Sequence, residues 1–242
     1  MKKLLTYLTS IGVFFTSLLK AEAPKPIVII LLGPPGAGKG THAIELSKKM
    51  DLPHISTGDL FRENLSKNTS LGMKVKNIMN EGKLVPDDIV LDMLFERLAK
   101  DDCKKGYILD GFPRTLEQAQ ALDQKLKNTA DIITINIAIE DNPLIERITG
   151  RLVCKNCGVP YHKTFLPPKK ENVCDNCQGE LYQRKDDTED VVKERLSVYH
   201  KQTTPVLVYY KNKDKNFYEV NGFDSKEIVF KSLLNTIQQA KR

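Results

Sequence analysis

At 242 residues, 40% hydrophobic and 28% charged, the chain can bury a substantial core and is too apolar to stay disordered. A modest net charge of +6, with 7% aromatic residues and no Trp, argues against a polybasic nucleic-acid surface and against an aromatic platform for stacked bases. One core carrying insertions fits this length better than two small domains.

Residues 1–23 stand apart. Met1-Lys2-Lys3, an apolar stretch from Leu4 to Leu19 and then Lys20-Ala21-Glu22-Ala23 follow the order of a secretory leader. Thr and Ser dilute that stretch, Lys20 interrupts the approach to Ala-x-Ala, and Pro24 follows the presumed cut. The segment is read as signal-like or disordered and is kept out of the fold.

Next, the apolar run Ile27 to Leu32 leads directly into Gly33-Pro34-Pro35-Gly36-Ala37-Gly38-Lys39-Gly40-Thr41. Strand, glycine-rich turn and helix in that order make a phosphate cradle. Backbone N–H groups and the positive end of the helix converge on one anion, and Lys39 reaches the outer phosphates. Nucleoside triphosphate binding is expected on that ground. The general pattern G-x4-G-K-S/T asks for a hydroxyl directly after the lysine, where this chain has Gly40, with Thr41 one place later. A Mg2+ ion is therefore expected to be held mainly by nucleotide oxygens and water, not by Thr41.

Further strands are expected at His54-Ile55, Tyr107 to Leu109, Ile132 to Ile139 and Phe217 to Val220. Helical patterns cover Lys39 to Met50, Thr57 to Lys67, Leu71 to Glu81, Asp87 to Lys100 and Leu116 to Lys127, then Asn142 to Gly150, Thr188 to Asn212 and Ser225 to Gln239. Such alternation implies an α/β fold, a parallel sheet with helices on both faces and its ligand at the carboxyl ends of the strands.

The alternation breaks between Arg151 and Asp187. There Cys154-Lys155-Asn156-Cys157 and Cys174-Asp175-Asn176-Cys177 are separated by sixteen residues. Thiolate pairs at this spacing can meet on one tetrahedral zinc, which makes Cys154, Cys157, Cys174 and Cys177 candidate ligands; two disulfides are the alternative. A closed four-thiolate site leaves no open coordination position, so such a metal would be structural. His162 is read as a packing or surface residue and Cys103 as a small buried hydrophobe.

The glycine-rich turn, Ser56-Thr57-Gly58-Asp59 and Asp110-Gly111-Phe112-Pro113-Arg114 together resemble adenylate kinase, in the form whose lid carries zinc. Gly82-Lys83-Leu84-Val85, Arg147-Ile148-Thr149-Gly150-Arg151, Arg184-Lys185-Asp186-Asp187 and Arg195 follow in the family's order. The resemblance runs from about Ile27 to the last helix. It implies a P-loop NTPase-type core (residues 24–55, 86–149 and 188–242) with an AMP-binding insertion at 56–85 and a zinc-ribbon lid at 150–187. It also implies a monomer that catalyses ATP + AMP = 2 ADP with Mg2+ and one structural Zn2+.

By the same resemblance Gly36, Ala37, Gly38, Lys39, Gly40 and Thr41 hold the ATP phosphates, Arg147 flanks ATP, and Pro160, Tyr161 and the backbone near Asp224 enclose its adenine. AMP falls to Thr57, Arg62, the backbone of Lys83, Leu84 and Val85, and Gly111, Phe112, Pro113, Arg114 and Gln118. Arg184 and Arg195 clamp phosphates from the lid side, AMP's included, while Arg151 draws the lid onto the transferring group. Asp110 resembles the acid that orients Mg2+-bound water. Lys39, Asp110, Arg114, Arg147, Arg151, Arg184 and Arg195 make up the implied catalytic set. Coming from separate segments, these arginines can surround two phosphate chains only when the insertions close, and each guanidinium can grip phosphate oxygens bidentately.

Rival readings are a UMP/CMP kinase, a GTP:AMP phosphotransferase and, from another class, a zinc-ribbon nucleic-acid-binding protein. Thr57 and Gln118 suit adenine's hydrogen-bonding edge, and Lys and Arg are dispersed along the chain without interleaved aromatics, so neither a nucleic-acid partner nor a membrane partner for the mature chain is expected. Reduced thiols and ATP favour the cytoplasm; export through residues 1–23 is the alternative.

Overall fold

Val28, Ile30 and Leu32 of β1 (Ile27–Leu32) pack into one hydrophobic cluster and Ile29 and Leu31 into another, so this strand is buried on both sides. An unbroken aliphatic run is what a central parallel strand requires. The computed structural model describes residues 25–213 and 216–241, and the leader-like segment lies outside them.

After β1 come α1 (Lys39–Met50), β2 (His54–Ser56), α2 (Thr57–Ser66) and α3 (Ser70–Asn80). Next are α4 (Asp87–Leu98), β3 (Gly106–Asp110), α5 (Leu116–Leu126), β4 (Asp131–Ala138) and α6 (Asn142–Thr149). The cysteine-bearing stretch forms β5 (Arg151–Cys154), β6 (Pro160–His162) and β7 (Leu181–Tyr182). The chain returns through α7 (Glu189–Val198), α8 (Thr204–Lys213), β8 (Phe217–Asn221) and α9 (Lys226–Ala240).

The main sheet has the order β2-β3-β1-β4-β8, and every neighbouring pair in it is parallel. On one face α1 and α9 bury Ala43, Leu46, Val229, Leu233 and Ile237 against Ile29, Leu31 and Ile135. On the other, Leu94 of α4, Leu122 of α5 and Val206 and Tyr210 of α8 cover Val28, Ile30 and Leu109. Each fully buried aliphatic side chain contributes about 1.5–3 kcal/mol, so this double-sided core is a rigid base for the loops above it. A second sheet, order β6-β5-β7, is antiparallel and small. Among the described residues no helix is long and apolar enough to cross a membrane.

The α/β architecture with helices on both faces agrees with the sequence reading. Two details differ from it. The stretch Thr188 to Asn212, expected as one helix, widens into a π turn at Tyr199–Thr203. That turn is anchored where Thr203 Oγ1 donates to the Arg114 carbonyl at 2.9 Å, and such bulges frequently accompany functional sites. The strands β5 to β7 carried no readable pattern, because they are two to four residues long and are organised around their cysteines.

Ser56 caps α2 by accepting from Asp59 N at 3.2 Å, and Thr115 caps α5 by accepting from Gln118 N at 3.2 Å. Like α4, α6 and α7, α1 has no side-chain cap; it begins at Gly38, at φ +89, directly after the glycine-rich turn. Its first-turn N–H groups and dipole are left for an anion.

Candidate active site

A cavity of about 830 Å³ lies at the carboxyl ends of β1, β2 and β3, between the phosphate loop, α2 and the cysteine-bearing sheet. The loop residues Gly36, Ala37, Gly38, Lys39, Gly40 and Thr41 line it, together with Asp110, Arg147, Pro160, Tyr161 and Asp224. So do Thr57, Arg62, Lys83, Leu84, Val85, Gly111, Pro113, Arg114, Gln118, Arg151, Arg184 and Arg195. Phe112 is the exception. Its ring is fully buried in the core, and the residue is not part of the cavity wall. An apolar ring at the end of a buried strand gains more from the core than from a polar cleft.

Lys39 Nζ turns back on its own loop, donating to Gly33 O at 2.7 Å and Pro34 O at 2.8 Å. Burial pushes its pKa down to about 8, and Asp110 only partly offsets this. Asp110 closes over the next loop residue: a Cβ on Gly40 would lie 3.1 Å from Asp110 Oδ2. A side chain at 40 would press on that carboxylate. Burial acts to raise the pKa of Asp110, but His54, whose Nε2 lies 3.3 Å away, and Lys39 hold it below the ordinary carboxylate value.

The arginines are positioned by acids. Asp187, fully buried, receives a two-pronged contact from Arg151 through Nε (2.9 Å) and Nη2, and also accepts from Arg195 Nη1 at 3.1 Å. Asp186 Oδ2 lies 3.0 Å from Arg195 Nη1. Asp59 accepts from Arg62 Nη2 at 2.6 Å and from Arg184 Nη2 at 3.2 Å. Burial would raise the pKa of Asp59, yet Arg62 and Arg184 hold it down to about 2. Burial and neighbouring guanidiniums push Arg114 and Arg184 down to about 10. Arg184 Nε is buried without a hydrogen-bond partner, and the residue lines the cavity.

On the other flank, Thr57 Oγ1 donates to Gly111 O at 2.9 Å. The amide of Gln118 is fixed at both ends: Oε1 accepts from Arg114 N at 2.8 Å and Nε2 donates to Asp87 Oδ1 at 2.7 Å. One N–H and one lone pair of that amide remain. Toward β8, Arg147 Nη1 donates to Gly222 O at 3.0 Å. The Tyr161 hydroxyl accepts from Asp175 N at 2.8 Å and packs beside Cys174, so its ring belongs to the small sheet's core and meets the cavity at one edge.

The Sγ atoms of Cys154, Cys157, Cys174 and Cys177 all lie within 4.8 Å of one another, with Cys154 and Cys177 at 3.4 Å and Cys157 and Cys174 at 3.6 Å. Zinc with bonds of about 2.3 Å sets tetrahedral sulfurs about 3.8 Å apart, whereas a disulfide needs about 2.05 Å. The cluster fits a metal ion, and the disulfide alternative fails because all of these cysteines are free. Cys103 is buried as expected, and His162 packs inside the small sheet, Nδ1 accepting from Thr164 N and Phe165 N at 3.0 Å.

Several residues went unassigned from the sequence. Asp59, Asp186 and Asp187 stand inside motifs that drew attention for their arginines, and the spacing Asp59/Arg62 is itself an i,i+3 ion-pair signal. His54 and His42 offered none, since a single histidine ahead of a motif or inside a helix is ordinary.

The family model for adenylate kinase matches residues 31–215 of the chain. The chain is 55% identical over 187 residues to an adenylate kinase of Caldicellulosiruptor bescii, covering 76% of this chain and 87% of that protein. It is 50% identical over 211 residues to one of Clostridium tetani (86% and 97% of the two chains) and 49% identical over 218 residues to one of Clostridium perfringens (89% and 100%). With a parallel sheet, an uncapped phosphate loop and an arginine-lined cavity already in place, these matches lead to one conclusion: the chain belongs to the adenylate kinase family.

Proposed function

We propose that the cavity holds ATP and AMP end to end and passes the terminal phosphoryl group of ATP to AMP, giving two ADP. The observation that carries this reading is the convergence of Lys39, Arg62, Arg114, Arg147, Arg151, Arg184 and Arg195 on one cavity above an uncapped helix N-terminus. Asp59, Asp186 and Asp187 offset only part of that positive charge, and a polyphosphate in the cavity would offset the rest.

The residues divide by flank. The loop from Gly36 to Thr41 takes the donor phosphates, with Arg147, Pro160, Tyr161 and Asp224 around the donor nucleoside. Thr57, Arg62, Lys83, Leu84, Val85, Gly111, Pro113, Arg114 and Gln118 take AMP, and the free N–H and lone pair of the Gln118 amide match the donor–acceptor edge of adenine. Phosphoryl transfer demands positioning and spread charge more than covalent chemistry. Lys39, Arg151, Arg184 and Arg195 neutralise the equatorial oxygens while residues 150–187, as a lid, and 56–85, as the acceptor insertion, exclude water. Asp110 would hold Mg2+ through water, and the ion, bound with ATP, would lower the charge of its phosphates. Zinc on the four cysteines would hold the lid together without taking part in transfer. One cavity can take both substrates, which suits a monomer, and reduced thiols with ATP favour the cytoplasm.

The purified chain given ATP, AMP and Mg2+ should form ADP, and CMP, UMP or GMP in place of AMP should work far less well. Absence of ADP would overturn the reading. Equal or better turnover of UMP and CMP would move it to the pyrimidine kinases.

A further inference from the structure

His42 takes no part in the account above, although it lies one turn beyond Lys39 on α1 and its ring lines the cavity. Only 4% of the residue is exposed, and its Nδ1 is buried with no hydrogen-bond partner. The ring lies nearly parallel to Phe230 of α9, with centroids 6.5 Å apart and an interplanar angle of 13°. Its opposite edge, Cδ2 and Nε2, faces Gly38: a Cβ there would sit 3.5 Å from both atoms. Gly38 carries no side chain, so that edge opens onto the phosphate loop.

A buried lone pair without a donor is tolerated far better than a buried N–H without an acceptor, so the proton belongs on Nε2. We propose that His42 is a recognition residue for the phosphoryl donor, presenting Nε2–H to an oxygen of the donor nucleotide between its base and its β-phosphate. This rests on the donor site assigned under the proposed function. Two observations support it. Burial pushes the imidazole pKa down to about 4, so His42 is a neutral donor at working pH and adds no charge beside Arg147 and Lys226. Its place on the α1 and α9 side of the sheet, near Arg147, sets it apart from Thr57 and Gln118, which belong to the acceptor flank.

The donor oxygen could be a phosphate oxygen or a ribose hydroxyl, and the test separates them. Steady-state kinetics are measured for the wild type, His42→Phe and His42→Gln, with ATP and with 2′-deoxy-ATP. His42→Phe keeps a flat ring against Phe230 but removes the donor; it should raise KM for ATP about 3- to 10-fold, the size of one lost hydrogen bond, with KM for AMP and kcat little changed. His42→Gln restores an N–H and should recover most of the loss. A penalty from His42→Phe that persists with 2′-deoxy-ATP assigns the contact to the α-phosphate or 3′ side, and one that vanishes assigns it to the 2′-hydroxyl. An unchanged KM for ATP, or equal rises for ATP and AMP with a lowered Tm, overturns the proposal. Should His42→Phe misfold, the imidazole nitrogen resonances of the wild type decide. They should show an Nε2–H tautomer that shifts on adding ATP and not AMP, and any other pattern rejects the idea. A wild type that makes no ADP would instead refute the underlying function.

Discussion

Arg184 Nη2 reaches Asp59 Oδ1 at 3.2 Å, which ties the end of the cysteine-bearing sheet to the first turn of α2 across 125 residues of sequence. The contact bridges the two segments that flank the cavity mouth. It works against the repulsion among Arg62, Arg151 and Arg184, which burial intensifies.

Asp59→Asn should therefore open the mouth. The aspartate side chain is 52% exposed, so the ion pair is worth at most about 1 kcal/mol and its loss should cut the closed fraction of the nucleotide-free protein about 2- to 5-fold. Single-molecule distances between the two segments would measure it. An unchanged closed fraction removes the clasp from the account.

Lys39 gives a pH signature. With a pKa of about 8 in the empty site, it is half neutral at about pH 8, and a bound triphosphate favours its ammonium form. ATP binding should take up a proton above about pH 8, and kcat/KM for ATP should fall as pH rises through that region. Calorimetry in buffers of different ionisation enthalpy reads the proton directly; no uptake at about pH 8.5 contradicts the assignment. Lys39→Met should lower kcat by about 10²- to 10³-fold with an unchanged circular dichroism spectrum, because the lysine bonds only to its own loop's carbonyls.

Asp187 carries more weight than its acidic neighbours. It is fully buried and receives both Arg151 and Arg195, so Asp187→Asn leaves two guanidiniums short of their charge partner. Breaking such a buried pair costs about 3 kcal/mol, so a Tm drop of several degrees should accompany a large fall in kcat. A variant with wild-type Tm would show that the arginines do not depend on this acid.

Removing metal with a chelator should melt the small sheet first. Its buried cluster is Cys154, Cys174, Tyr161 and Leu181 with Leu152 and Val159 packed against it, too little apolar surface to hold three short strands together. Calorimetry should show a lower Tm with the main transition intact, and metal analysis should find one zinc per chain. An identical melting curve with and without metal would reject a structural role.

Much of this was legible in the sequence, and the reasons for the rest are specific. The run Ile27 to Leu32 followed by glycines could be only a buried strand entering a phosphate turn, and the structure gives those bounds for β1. The strands of the small sheet could not be read, because thiol geometry and not alternation sets them. The π turn at Tyr199–Thr203 makes tertiary contacts, Thr203 with the Arg114 carbonyl and His200 with Asp141, which no local pattern encodes. At the site, arginines stood out as long cations in repeated motifs, whereas the acids that aim them were hidden in the same words. Phe112 was grouped with the nucleotide residues because it stands between Gly111 and Pro113, whereas its ring is fully buried in the core.

Closure of two segments over a rigid base is the heart of the account: the empty cavity concentrates like charge, and two polyphosphates should relieve it. Small-angle X-ray scattering with and without a bisubstrate mimic, two adenosines joined by a phosphate chain, tests this most directly. The account predicts a smaller radius of gyration and a shorter maximum dimension when the mimic is bound. Superimposable curves at saturating mimic would contradict it.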